Sequence, residues 1–344
     1  MNNKALAAMS GGVDSSVAAY LAKQRGFDCT AVTIKMFEGD IGGNDAGSVA
    51  RGLGIPHYVF DFTAEFEKQV IGRFVEAYQN GQTPNPCIEC NRYLKFEKLF
   101  LRAKELGIDR IVTGHYAKIE YDAPKRRYLL KKAADCAKDQ TYVLYSMTQK
   151  QLKHTVFPLG ELKKHEVREV AAEQGFVNAA KPDSQDICFA EGGDYAGFIE
   201  KYTGKTYESG DFTDVFGNVL GRHKGIIRYT IGQRRGLGLA LKNPLYVKSK
   251  NVADNTVTLC ENEGLFTKSL EAGDFNWIAY EKAENPLRVK AKVRYNQTEQ
   301  WATAEQISEN TVRLEFDEPQ RAIAKGQAAV LYDGDTVIGG GTIC

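Results

Sequence analysis

Three short stretches carry residues able to do chemistry. In the first, Met9-Ser10-Gly11-Gly12-Val13-Asp14-Ser15-Ser16, a glycine turn runs straight into a helical pattern. Such a turn presents backbone N–H groups and the positive helix end to an anion. The usual nucleotide loop, G-x-x-x-x-G-K-[ST], adds a lysine for the terminal phosphates. Here there is none, and Asp14 stands in the loop instead. A carboxylate beside polyphosphate calls for a bridging divalent cation, so the loop implies ATP with magnesium. Lacking the lysine, it suits the pyrophosphate that departs when a nucleophile attacks the α-phosphate.

The second stretch, TPNPCIECNRYLKF (83–96), holds Cys87 and Cys90 where a proline-flanked loop around Asn85 and Pro86 enters a helix. Thiols at a helix start ionise readily. A C-x-x-C pair alone fits a redox pair, half a zinc site or a cluster site. The third, KPDSQDICFAEGGD (181–194), places Cys188 after a polar loop with Asp183 and Asp186. Cys29, Cys136, Cys260 and Cys344 lack such surroundings and read as structural or incidental.

These residues need a frame. Residues 5–9 and 28–36 read as strands, with a helix between them ending at Gly26. A third strand covers 55–60, a helix capped by Thr63 runs over 63–80, and another helix runs over roughly 88–106. Strand–helix alternation implies a parallel sheet covered by helices. Ligands of such sheets bind at the carboxyl ends of the strands. The glycine turn, Met36 and the TGHYA segment (113–117) all fall there, which predicts one site at one sheet edge. From about Tyr207 the pattern changes to short β runs separated by Gly, Asn and Asp, and from about Thr267 strands recur at roughly ten-residue spacing, as in small barrels. The expected architecture is α/β: a parallel-sheet domain over 1–200, a small β-rich domain over 205–264 and a C-terminal β-barrel over 267–344.

The totals exclude several classes. With 43% apolar and 26% charged residues, the 344-residue chain has the composition of a globular protein. Apolar runs are too short to span a membrane. The first residues lead directly into the glycine turn, which points to the cytoplasm. A net charge of +1 means that any nucleic-acid surface must be local. Seven cysteines at uneven spacing argue for reduced thiols rather than a disulfide framework.

The glycine turn resembles the pyrophosphate loop of the ATP pyrophosphatases, which split ATP into AMP and pyrophosphate. Together with TPNPCIECNRYLKF, TGHYA, KDQTYVLY (138–145), DSQDICF and YTIGQRRGLG, in this order over nearly the full length, it resembles the tRNA-specific 2-thiouridylase family. The resemblance implies ATP contacts at Ala8, Met9, Ser10, Gly11, Gly12, Val13, Asp14, Ser15, Met36 and Gly114. It implies catalytic cysteines at Cys90 and Cys188, Cys188 carrying a persulfide, and a target-base segment at Asn85, Pro86 and Cys87. Further tRNA contacts would come from His115, Lys138, Asp139, Gln140, Arg294, Tyr295 and Gln327. Besides tRNA, the implied partner is a sulfur donor, a cysteine desulfurase or a relay protein. Nothing in the sequence demands more than a monomer.

The chain departs from the family at Cys87, where aspartate is common, at Ala8, where glycine is usual, and in a shorter loop after Met36. A third thiol opens two routes. Cys188 passes persulfide sulfur while Cys90 or Cys87 resolves it, or the three thiolates hold a 4Fe-4S cluster with one open iron. Zinc with an open position is a further use of the same set. Two other functions stay open at this point: a related adenylating enzyme acting on another base or acceptor, and a non-catalytic tRNA- or cluster-binding protein.

Overall fold

The computed structural model describes residues 3–37, 42–182, 187–240 and 243–344. Asp183 and Asp186 lie outside the described residues, as does part of the loop after Met36. The first domain opens with β1 (Lys4–Ala8), α1 (Val13–Gln24), β2 (Asp28–Lys35), α2 (Gly42–Leu53) and β3 (His57–Asp61). Alanines make the close packing possible: Ala5 and Ala7 on β1, and Ala18, Ala19 and Ala22 on α1, are all buried. With no bulk beyond Cβ, they let the helix settle onto the sheet, and the glycine turn stays tight.

Two long helices follow, each with a π-wound insert. The first comprises α3 (Thr63–Phe66), a π turn at Glu67–Ile71 and α4 (Gly72–Gln79). Thr63 is not its cap. Its N–H donates to Asp61 Oδ1 at 3.0 Å, so the aspartate two residues earlier supplies the acceptor. The second comprises α5 (Pro86–Glu89), a π segment at Cys90–Lys98 and α6 (Leu99–Glu105). Asn85 caps it, accepting the Cys87 N–H at 3.1 Å, with Pro86 at the first helical position.

After β4 (Arg110–Val112) comes a hairpin, β5 (Lys118–Asp122) and β6 (Arg127–Lys131), then α7 (Gln149–His154), β7 (Thr155–Val156), α8 (Lys164–Glu173) and α9 (Tyr195–Thr203). The first sheet has the order β3-β2-β1-β4-β7, with every pair parallel. Strand order reverses between β1 and β4, and the crevice at such a switch is where doubly wound sheets bind ligands.

A four-stranded sheet of order β10-β11-β8-β9 forms the middle of the chain from β8 (Gly210–Thr213), β9 (Val219–His223), β10 (Tyr246–Asn251) and β11 (Thr256–Cys260). The rest is β12 (Phe266–Trp277), β13 (Leu287–Lys292), β14 (Gln300–Ser308), β15 (Thr311–Arg321), β16 (Ala328–Asp333) and β17 (Thr336–Ile343). Because β12 pairs with both β15 and β17, these six strands close into a barrel.

The β5–β6 hairpin of the first domain joins this barrel sheet through Thr336 opposite Lys131. Ile88, Phe96, Tyr142 and Tyr145 share one buried cluster with Ile278, Val330, Tyr332 and Val337, so the first and last domains have a core in common.

Four histidines make the fold acid-sensitive. Burial lowers the pKa of His57, His154 and His223, and holds that of His115 well below 6.5. The unfolded chain therefore binds more protons, so the stabilisation present above about pH 6.5 is lost as pH falls towards the folded values. For fully buried His115 alone the slope approaches roughly 1.4 kcal/mol per pH unit. A melting temperature clearly lower at about pH 5.5 than at about pH 7.5, with the acid limb shallower in His115→Phe, is the expected result.

Candidate functional site

The glycine turn is held from within and from outside. Gly11 takes a left-handed φ of 78°, and Gly12 caps α1 in extended geometry. Ser15 and Ser16 hydroxyls both donate to the Gly12 carbonyl at 3.0 Å, and the Ser10 N–H donates to Ser15 Oγ at 3.2 Å. From far along the chain, Asn178 Nδ2 donates to the Gly11 carbonyl at 3.0 Å and to Ser16 Oγ at 2.9 Å. Asn178 is 3% exposed. It ties the turn to the segment that leads towards Cys188.

The segment after β4 closes on the same helix start. Gly114 lies so near that a Cβ there would stand 2.7 Å from both Asp14 C and Ser15 N. Next to it, His115 is buried against Phe96 and Phe157, with Nδ1 2.7 Å from Thr113 Oγ1. The Tyr116 hydroxyl donates to Asp14 Oδ1 at 2.8 Å. The cation missing from the loop arrives from α8: Lys164 Nζ lies 2.7 and 2.8 Å from the two Asp14 oxygens.

The thiols converge on this edge. Met36, at the end of β2, places Sδ 3.8 Å from Cys90 Sγ. Cys90 is buried, while Cys87 and Cys188 stand exposed at its rim, and all are free thiols. Desolvation of the sulfurs raises each pKa, at Cys87 and Cys188 even though both residues keep exposed surface, with Cys188 pushed up to about 12 and raised further by charge on Cys90 and Cys87. Lys95 opposes the rise at all three sulfurs and also lowers His115, so it is within electrostatic reach of both. Among the described residues, no group of three or more His, Cys, Asp or Glu side chains is disposed to hold a metal ion. The three cysteines are close enough to feel one another's charge.

The residues expected to meet tRNA are largely engaged with the chain itself. Asp139 accepts from the Ala133 N–H and the Thr141 hydroxyl, and Gln140 Oε1 accepts the Tyr116 N–H at 2.9 Å. Arg294 donates to the Ile231 and Ala322 carbonyls at 2.9 and 2.8 Å, binding the middle domain to the barrel. Gln327 donates to the Thr83 carbonyl at 2.7 Å, just before the Asn85–Cys87 segment. The Tyr295 hydroxyl donates to the Asp139 carbonyl at 3.2 Å, its ring 37% exposed, and Lys138 is half-buried.

Comparison with known proteins accounts for the whole length. The family model for the tRNA methyl transferase HUP domain matches residues 3–192, that for its PRC-barrel domain residues 196–261, and that for the aminomethyltransferase beta-barrel domain residues 267–343. The tRNA-specific 2-thiouridylase MnmA of Clostridioides difficile is 49% identical over 100% of this chain and 98% of its own. That of Acetivibrio thermocellus is 49% identical over 99% of each. The chain belongs to the tRNA-specific 2-thiouridylase family. Among solved structures, a 4-thiouridine synthetase–RNA complex with bound ATP aligns over 54% of this chain and 44% of that one, at 22% identity and a TM-score of 0.39.

Among the side chains that build this 2-thiouridylase-family site, sequence reasoning missed Lys164, Asn178, Tyr116 and Lys95. Tyr116 and Lys95 sit inside the quoted motifs TGHYA and CNRYLKF, so a signal was present for them. Lys164 and Asn178 lie in ordinary-looking helix and turn sequence, about 150 residues from the loop they support, with no local mark.

Proposed function

We infer that the chain is an ATP-dependent uridine 2-sulfurtransferase acting on the wobble position of tRNA. The observation that carries this reading is the Met36–Cys90 contact at 3.8 Å, which puts the thiols on the sheet edge that holds the phosphate loop. Residues 8–15, Met36 and Gly114 bind ATP, whose phosphates would supply most of the oxygens around magnesium, with Asp14 the protein carboxylate at hand. The uridine C2 oxygen attacks the α-phosphate and pyrophosphate leaves. The outer sulfur of a Cys188 persulfide, loaded by a sulfur donor, then attacks C2 and AMP leaves. Cys90 attacks Sγ of Cys188, which breaks the persulfide S–S bond and leaves the base thiolated and the two cysteines as a disulfide. External thiol resets them.

Asn85, Pro86 and Cys87 face the base in this reading, and His115 helps to position it. The three segments, 1–200, 205–264 and 267–344, divide the work, with Lys138, Asp139, Gln140, Arg294, Tyr295 and Gln327 on the tRNA side. The work takes place in the cytoplasm; no helix among the described residues is long and apolar enough to cross a membrane. The persulfide route stands ahead of a 4Fe-4S cluster held by Cys87, Cys90 and Cys188.

The test is nucleoside mass analysis of unmodified tRNA after anaerobic incubation with the protein, ATP, magnesium and sulfide. Expected is a uridine heavier by the oxygen-to-sulfur exchange, absent without ATP and absent in Cys188→Ser when sulfur comes from a desulfurase. Stoichiometric iron after anaerobic purification would sink the persulfide route.

A further inference from the structure

The YTIGQRRGLG segment (229–238) takes no part in the chemistry above, yet it lies in a strongly basic stretch of the chain. We propose that Arg234 and Arg235, with the cavity beside them, form an RNA subsite on the middle domain that holds backbone phosphates and one unstacked base of the tRNA, away from the uridine that reacts. The proposal rests on the tRNA reading above.

Residues 215–253 hold eight lysines and arginines and no aspartate or glutamate, in a chain whose net charge is only +1. Several of these cations are already engaged. Arg228 reaches Glu200 at 2.7 Å, Arg222 reaches Asp211 at 3.1 Å, and Lys250 donates to the Tyr229 carbonyl at 2.9 Å. Arg234 and Arg235 differ. Both are exposed, and among the described residues neither side chain has a hydrogen bond or an ion pair. Two adjacent guanidinium groups with no acid to neutralise them make a local site for phosphate oxygens.

The backbone beneath them is fixed. The Thr230 N–H donates to Gln233 Oε1 at 2.9 Å, and Gln233 Nε2 donates to the Arg235 carbonyl at 3.0 Å. The Gly232 N–H donates to the Val247 carbonyl at 2.8 Å and the Val247 N–H to the Gln233 carbonyl at 3.0 Å, which pins the turn to β10. Beyond it, the chain winds around a cavity of about 290 Å³. Leu237, Leu239, Pro244 and Leu245 give it apolar walls, and Arg234 and Asn243 supply its polar groups. Apolar walls suit the faces of a base, while an amide beside a guanidinium suits its edge and its phosphate.

The same loop touches the barrel next to the thiols. Arg294 donates to the Ile231 carbonyl at 2.9 Å, and a Cβ on Gly232 would stand 2.8 Å from the Ala322 methyl. Adjacent Tyr295 donates to the Asp139 carbonyl, and its phenol is raised by burial and by charge on Asp139 and Cys87. An RNA strand with a base at Cys87 can run past Tyr295 and reach Arg234 and Arg235.

Anisotropy titration of labelled, unmodified tRNA with the full chain, repeated over a series of salt concentrations, tests this. The double variant Arg234→Gln, Arg235→Gln should weaken tRNA binding by about tenfold and reduce the slope of log affinity against log salt by about 1.4 to 1.8, the loss of two phosphate contacts. Asn243→Ala should weaken binding by about 3- to 10-fold with the slope unchanged, because it removes a hydrogen bond and no charge. ATP affinity by calorimetry and the melting temperature should match the wild type in both, which separates a lost subsite from a damaged fold. Wild-type tRNA affinity in the double variant would overturn the proposal, as would weakened binding with the wild-type salt slope. A wild-type protein that binds no tRNA would remove the tRNA reading and this proposal with it, a result distinct from silent variants.

Discussion

Gly114→Ala is expected to cut tRNA-dependent AMP formation by about 100-fold, the scale of a misplacement of about an ångström in a reacting site. The added Cβ would stand 2.7 Å from Asp14 C and Ser15 N and 2.9 Å from the Asp14 carbonyl oxygen. All three are backbone atoms at the start of α1, so no side chain can swing aside. The 113–117 segment must back away instead. The Tyr116 hydroxyl then leaves Asp14, and His115 shifts between Phe96 and Phe157. Overpacking of this kind costs roughly 1–3 kcal/mol of stability. Gly52→Ala provides the contrast: it is an exposed position of α2, where a Cβ would meet nothing within 4 Å, and should stabilise by roughly 0.5–1 kcal/mol. Wild-type turnover in Gly114→Ala would mean that the close approach does not assemble the site.

The second large effect concerns sulfur. With its pKa pushed up to about 12 from an ordinary 9.0, Cys188 holds roughly a thousandfold less thiolate at neutral pH than a free cysteine. Iodoacetamide should therefore label exposed Cys136 and Cys344 first. Labelling of Cys188 should be slow and rise about tenfold per pH unit up to about pH 10, without a plateau. Cys90→Ser removes a thiol whose ionisation opposes that of Cys188 and should speed labelling only at alkaline pH. Lys95→Met removes the cation that favours all three thiolates and should slow labelling of Cys87, Cys90 and Cys188 together. A plateau near pH 8 in the wild type would contradict the electrostatics described here. The chemical meaning is that Cys188 in the resting protein is a poor nucleophile. A persulfide is more acidic than a thiol, so loading with sulfur itself arms the residue.

How much of this was legible in the sequence follows from how local each feature is. Three loops at one sheet edge could be read because β/α alternation fixes which strand ends point the same way, and the glycine turn, Met36 and 113–117 fall after β1, β2 and β4. Phe62 takes the cap position and Asp61, one residue before it, accepts the Thr63 N–H, a choice between two good acceptors that the local sequence leaves open. The π segments carry no propensity signal, yet Cys90–Lys98 is wound that way. An i→i+5 ladder brings residues five apart onto one face, and Cys90 and Lys95 are five apart. Lys164 and Asn178 were invisible because tertiary contacts over about 150 residues leave no periodicity behind. The same holds for the tRNA-side residues. Motif matching could propose Arg294 and Gln327 as substrate contacts but could not foresee that their side chains grip carbonyls of this chain.

The core shared by the first and last domains has a consequence for a chain still being made. Phe96, Tyr142, Leu144 and Tyr145 emerge from the ribosome long before Ile278, Val330, Tyr332 and Val337, which cover them. At about 5–20 residues per second, the delay from Tyr145 to Val337 is on the order of ten to forty seconds. Throughout it the nascent first domain shows an uncovered aromatic face, and the β5–β6 hairpin lacks its neighbouring strand. Phe96 in that face is also the ring that packs against His115. A half-made chain thus lacks the packing behind the ring that holds His115, and β16 and β17, made last, complete it.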